Sequence, residues 1–531
     1  MPFLLRNLTL QPGEDEGRLA VLTARCFGLD PTALLQFRIL RKGVDARKKP
    51  RVLLVYTVSF NVADEAGFWK RHHATPNLEQ LPVETPQIFT RRSSADPIVI
   101  VGMGPAGLFC ALRLAAYGIP ATILERGKPV EERVKDVARF WRDGQLGTES
   151  NVQFGEGGAG TFSDGKLTCR LRDPNTGWVL DQLIRFGAPP EIRYQAKPHV
   201  GTDRLRSVVA ALRAGLLENG ADLRFSTCLT DLVSSDGQLS AVRSNHHDEF
   251  ACRHLVLAIG HSARDTYAML SRKNLLMESK PFAIGLRVEH PQGVIDRIQY
   301  GKPHPALPKA DYALTYNNDQ TKRSCYSFCM CPGGLVVASS SEAEMVVVNG
   351  MSNLGRDSGF ANSALVVNVR PEDFDGSDPL AGVRFQQQWE RTAFTAGGSN
   401  YYAPAQNLLA FVGLGAGGYQ SSYRPGTTEA DLATLLPEYV TTALREGIVS
   451  FDRKMKGFVT REATLTGVET RTSAPLRILR NDDCQSPTLQ GLYPCGEGAG
   501  YAGGIMSAAL DGVRVADKIA GQFTTESPAG E

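Results

Sequence analysis

The chain has 531 residues, 42% of them hydrophobic and 21% charged, with a formal net charge of +2. At roughly 150 residues per domain that is about three domains with ample core, in the composition range of a soluble protein. The near-neutral balance argues against a nucleic acid or an acidic membrane as partner, and no run reaches the roughly 18 apolar residues of a membrane span.

The start MPFLLRNLTL lacks the basic, apolar and small-residue pattern of a leader, so a cytoplasmic location is expected. Residues 1–90 read as a small α+β domain of ferredoxin-like type: strand FLLRNLTL, helix EGRLAVLTARCFGL stopped by Asp30-Pro31, two strands across LLQFRILRKGVDARKKPRVLLVYTVSF, and a helix near 65–72. The basic run 41–51 invites a nucleic-acid reading, but no aromatic stacking platform accompanies it, and a solvated hairpin turn accounts for it. Stretch 74–97, rich in Pro, Thr and Ser, reads as a linker.

Residues 97–270 alternate strand and helix as a doubly wound α/β unit, beginning with the apolar strand PIVIVG and interrupted by an insertion near 128–200. Residues 271–470 change to strands such as FAIGLRVEH and ALVVNV between loops, a mostly antiparallel inserted domain that would hold a substrate. Residues 471–525 return to the α/β pattern, with GLYPCGEGAG before a helix; the tail TTESPAGE is expected to fray.

Four stretches match G-x-G-x-x-G: 102–107, 155–160, 413–418 and 498–503. Context separates them. Gly102-x-Gly104-x-x-Gly107 follows a strand and opens a helix through Pro105 and Ala106. Glu125, at the end of the next strand, comes 18 positions after Gly107, near the ~20 expected of the carboxylate that takes a ribose, and is placed to accept both hydroxyls. The other three lack that strand, helix and acid together. NAD alone would leave the later motifs idle, whereas FAD runs on from its pyrophosphate into further regions. HLVLAIGHSARDTY (254–267) and LYPCGEGAGYAGGIMSAALDGVRVA (492–516) supply such regions.

With VGMGPAGLFCALRLA, NVQFGEGGAGTFSDGKL, SFCMCPGG, TGVETRTSAPLRI and GLYPCGEGAGYAGGIMSAALDG together, the chain resembles the glutathione-reductase-like FAD superfamily. More narrowly it is similar to the uncharacterised bacterial FAD-dependent dehydrogenases, or NAD(P)/FAD-dependent oxidoreductases. The resemblance implies a two-dinucleotide-type, Rossmann-like FAD-binding domain. It implies FAD contacts at the first loop, at Glu125 and Arg126, at Leu229 near adenine, at Ala258 and Gly260, and from Gly496 and Glu497 to Gly503, Gly504 and Ile505. It also implies that 153–166 lies over the isoalloxazine, with Gln153, Gly157, Gly158, Ala159, Gly160 and Ser163 beside the ring. Glu497 stands where the superfamily usually has Asp.

Lys166 is a candidate cation beside the flavin, with surface charge as the equal alternative. Cys329 and Cys331 in SFCMCPGG are spaced to face one side of a strand. Two small buried residues are the bland account, and pocket lining or a strained redox pair the others. Arg471 and Arg477 suit an anionic substrate group, or a solvated strand. His261 follows Gly260 and is placed near the adenosine or the domain junction. The nine histidines and ten cysteines form no metal-ligand or disulfide spacing. The expected protein is an FAD-dependent oxidoreductase acting on a small organic substrate, with an unknown electron donor or acceptor and transient NAD(P)H in view. A flavin monooxygenase, or an RNA-associated flavoprotein with structural FAD, are the alternatives.

Overall fold

A computed structural model describes residues 1–82, 87–93, 96–169 and 172–525; part of the expected linker and most of the C-terminal tail lie outside them. Of that tail, Thr524 and Thr525 pair with Ser93 and Arg92.

Strand Phe3–Leu10 pairs antiparallel with Arg51–Asn61 on one side and with Leu78–Gln80 on the other. Leu35–Lys48 closes the outer edge against Arg51–Asn61. Helices Arg18–Phe27 and Glu65–His72 each link two strands that have one other strand between them, a split βαβ arrangement. Phe3, Phe27 and Phe68 meet beneath this sheet, with ring centroids 4.7 and 5.0 Å apart. Most of the basic run is not a turn: residues 41–48 are paired strand, and only Lys49 and Pro50 turn the chain. The apolar cluster below this sheet continues into that of a large antiparallel sheet.

The apolar strand Ile98–Val101 is fully buried, as a parallel strand covered on both faces must be. It lies in a five-stranded parallel sheet ordered Leu492–Pro494, His254–Leu257, Ile98–Val101, Thr122–Leu124 and Asp222–Arg224. Register aligns the carboxyl ends: Val101 stands against Leu124 and Leu257, and Leu257 against Pro494. Gly102, Glu125, Ala258 and Cys495 therefore follow one another along one edge of the sheet, where open α/β sheets bind ligands.

The second large sheet has seven strands, in the order Thr315–Asn318, Arg323–Cys331, Phe360–Val369, Phe282–Pro291, Thr464–Glu469, Ala403–Asn407 and Thr427–Glu429. All its pairs are antiparallel except the last. No helix among the described residues is long and apolar enough to cross a membrane.

Candidate functional site

A cavity of about 380 Å³ opens along the carboxyl edge of the parallel sheet and runs to the large antiparallel sheet. Gly102, Gly104, Pro105 and Ala106 line it. Gly102 has φ +101, and a Cβ there would lie 2.3 Å from the Ala258 carbonyl oxygen, so only glycine lets strand and turn lie this close. Gly107 stands behind the lining, where a Cβ would meet the Gly102 carbonyl at 1.9 Å; it packs helix on strand. Helix Pro105–Ala116 starts at the cavity, as does Ile505–Ala520. Each presents unsatisfied N–H groups and the positive end of its dipole there.

Glu125, 5% exposed, lines the same edge. Its carboxylate accepts N–H groups from Met103 (2.8 Å), Gly127 (2.8 Å) and Gly155 (2.9 Å). A carboxylate offers about four acceptor sites, so one remains, and the expected pair of ribose hydroxyls is more than the side chain has room for. Arg126 also lines the cavity. Its guanidinium is bonded to Glu149 and Asp265 and lies 4.1 Å from the Phe154 ring centroid. Leu229, Ala258 and Gly260 complete this end.

The second glycine loop is packed against the first. Gly157 N–H donates to the Met103 carbonyl at 2.8 Å. A Cβ on Gly158 (φ +60) would lie 2.9 Å from Gly104 Cα, and one on Gly160 3.1 Å from Ile505 Cγ1. The expectation ties these glycines to a flat cofactor ring; the structure shows that loop-to-loop packing also requires them. Gln153, Gly158, Ala159, Gly160 and Ser163 line the cavity, while Gly157 faces Thr161 and Val209 behind it. Arg133, which the sequence does not single out, shapes this loop. It is fully buried and donates to the carbonyls of Asn151, Val152, Gly155 and Glu156. Burial pulls its guanidinium down to about 10.

In the C-terminal loop Glu497, Gly503, Gly504 and Ile505 line the cavity. Gly496 does not; its N–H donates to Asp511 at 2.8 Å. Loop 498–503 stands between strand Leu492–Pro494 and helix Ile505–Ala520, the C-terminal strand, loop and helix read from the sequence. Loop 413–418 takes no part in the cavity. Burial pushes the Glu497 carboxyl up to about 7. His261, 4.0 Å away across Nε2 and Oε1, is held neutral, pulled down to about 3 by burial and by the cations of Arg471 and Arg264.

The far end is built from side chains. Lys166 Nζ bonds the Met330 carbonyl and lies 3.9 Å from Cys331 Sγ. Burial works against its charge, but the thiols and Asp164 outweigh it and hold the ammonium above the ordinary lysine value. Cys329 and Cys331 do not face one side. The strand register shifts between Phe328 and Cys331, and Cys329 takes φ +48. Cys329 is exposed and lines the cavity, whereas Cys331 is buried, donates to the Cys329 carbonyl at 3.3 Å and is pushed up to about 12 by burial. Arg287, 0% exposed, bonds both Glu469 oxygens at 2.7 and 2.9 Å, Asn362 at 2.7 Å and Asn349 at 3.2 Å. Buried Glu390 bridges Arg264 and Arg471, each at 2.7 Å. Arg471 is thus neutralised, and Arg477 pairs with Glu278 and stacks on Tyr501. Among the described residues no cluster could hold a metal ion.

A family model described as FAD-dependent protein, C-terminal domain-like, matches residues 281–472, and one described as a domain of unknown function matches residues 4–61. An uncharacterised protein of Clostridium beijerinckii is 46% identical over 531 residues, 98% of this chain and 99% of its own. This chain belongs to one family with that protein, and its residues 281–472 match the family of FAD-dependent protein C-terminal domains. Solved structures similar to this chain include a flavin-dependent brominase (TM-score 0.36, 11% identity, 80% of this chain and 79% of that one). Another is glycine oxidase from Bacillus cereus (TM-score 0.31, 12% identity, 82% and 100%).

Proposed function

We propose that the chain is an FAD-dependent oxidoreductase that carries its dinucleotide in this cavity and acts on a small organic substrate at the Lys166–Cys329 end. The observation that carries the proposal is the convergence of two helix N-termini and Glu125 on one cavity, next to glycines whose Cβ positions are closed. Such termini suit a pyrophosphate and an electron-rich ring edge, and the free acceptor site of Glu125 suits one ribose hydroxyl. The residues present therefore fit the group. Bound FAD supplies hydride or electron transfer.

The chain's own residues orient and shield. Gly104 and Gly158 let the two loops close on each other beside the cavity. Gln153 is fixed through Ser339 at 2.6 Å. Lys166 keeps a positive charge at the far end, and neutral His261 and Glu497 offer a proton acceptor and a carboxyl that titrates near neutrality. NAD(P)H as transient electron donor belongs to the same proposal. The test is anaerobic mixing of the yellow protein with NADH, NADPH and metabolite pools, following the visible flavin band. Bleaching by one donor and recovery with a substrate are expected. Oxygen-dependent NAD(P)H consumption with an oxygenated product would instead make it a monooxygenase, and a protein that neither holds nor takes up FAD contradicts the proposal.

A further inference from the structure

Around the far end of the cavity the arginines are paired with carboxylates in direct contact and the lysine is not. Asp164 is bonded to Arg356 at 2.9 Å, Glu469 to Arg287, and Glu390 to both Arg264 and Arg471. Glu342 adds a fourth carboxylate against Arg264 and Arg471. Each of these four arginines is thus engaged directly by a carboxylate, whereas Lys166 is not. Its contacts, the Met330 carbonyl and the Cys331 thiol, carry no full negative charge. Asp164 acts on this ammonium through space but is itself bonded to Arg356 and Ser352, so a half-buried ammonium with no carboxylate in direct contact offers a site for one.

A second donor points the same way. The Asn349 side-chain oxygen accepts from Arg287 Nη2 at 3.2 Å and from Gly350 N–H at 2.7 Å. Both its acceptor sites are used, which fixes the amide orientation and leaves the N–H₂ group for the cavity that Asn349 lines. Arg287 also reaches the Cys329 carbonyl at 3.4 Å, and Lys166 holds the next carbonyl, that of Met330. Lys166 directly, and Asn349 through Arg287, are therefore tethered to consecutive peptide groups on either side of Met330, with the Phe328 ring as an apolar wall.

We propose that Lys166 and Asn349 form the carboxylate-binding end of the substrate site, so that the substrate is an organic monocarboxylate whose body lies against Phe328. This rests on reading the cavity as that of an FAD oxidoreductase. Arg287 and Glu469 are positioning residues: Arg287 aims Asn349 from behind the lining, and the Glu469 carboxylate, which lines the cavity, is held by Arg287.

The experiment titrates the FAD-loaded protein with benzoate and, separately, with its neutral isostere benzamide, reading the perturbation of the flavin spectrum. Benzoate is expected to bind at least about tenfold more tightly, the scale of one charge-assisted hydrogen bond. Asn349→Asp keeps both bonds accepted at the side-chain oxygen and replaces the donor by a negative oxygen. It weakens benzoate about tenfold or more and leaves benzamide nearly unchanged. Lys166→Met does the same, and Lys166→Arg restores most of the affinity. Equal binding of benzoate and benzamide, absence of any perturbation by benzoate, or unchanged benzoate affinity in Asn349→Asp overturns the proposal. Release of FAD by Lys166→Met also overturns it, by assigning the cation to the cofactor. Wild-type protein that holds no FAD overturns the underlying reading and this inference with it.

Discussion

The two ends of the cavity are made in different ways. At the sheet edge the ligand-facing surface is backbone: Gly102, Gly104, the first turns of two helices, and one carboxylate already engaged by three N–H groups. At the far end it is side chains held by buried ion pairs, with Arg287 on Glu469 and Glu390 between two arginines. A backbone-built site tolerates little change of shape but needs few charges. A side-chain-built site is tied to costly desolvated charges, which are strongly destabilising once a partner is lost.

Glu469→Ala gives the largest expected effect. It strands a fully buried Arg287, and the fold should lose about 3–5 kcal/mol in denaturant titration, the usual cost of breaking a buried pair. Loss near zero would mean that water or another anion reaches Arg287, and the far end would then be less dry than its burial indicates. Gly102→Ala is expected to cost the cofactor more than the fold. The added Cβ meets the Ala258 carbonyl in a left-handed backbone, costing on the order of 1–3 kcal/mol in strain, while the FAD-to-protein absorbance ratio collapses. A Gly102→Ala protein that keeps its flavin would show that the turn is not where the dinucleotide lies.

The pH profile is a subtler probe. Burial raises the Glu497 carboxyl to about 7, so its neutral form is favoured in the folded chain. Its contribution is fully present below the ordinary carboxyl value and is lost as pH rises through about 7. Glu156, also pushed up to about 7 by burial, adds a slope of the same sign. Glu497→Gln should flatten part of that fall and leave the protein about 1–3 kcal/mol more stable above neutrality than wild type, by urea unfolding at stepped pH. An unchanged profile would mean that Glu497 is solvated through the cavity. Cys329→Ser has the smallest expected effect. An exposed thiol at a bulge carries little packing, so melting temperature and flavin content should stay within error, and a drop in flavin content would make Cys329 a cofactor contact.

The same contrast explains what the sequence discloses. The strand before Gly102, the helix after it and the position of Glu125 are local, and periodicity with glycine spacing reveals them. The helix near 65–72 is legible for the same reason and is observed at Glu65–His72. Far-end groups come from chain positions that nothing local connects. Lys166 is 164 positions from Met330, and Arg287 is 182 from Glu469. Arg133 falls in the stretch 128–200 read only as an insertion, and nothing local signals its four carbonyl partners. Cys329 and Cys331 are misplaced by strand alternation because a register shift with a left-handed residue falls between Phe328 and Cys331, and no turn residue at Cys329 signals it. The loop 151–166 is legible as a glycine loop, but its packing on Gly104 and Ile505 is tertiary.

The most direct measurement is the flavin content of the purified chain after saturation with FAD and removal of the excess, from its visible spectrum against protein concentration. The account predicts one tightly held FAD per chain. A colourless protein that retains none would contradict it.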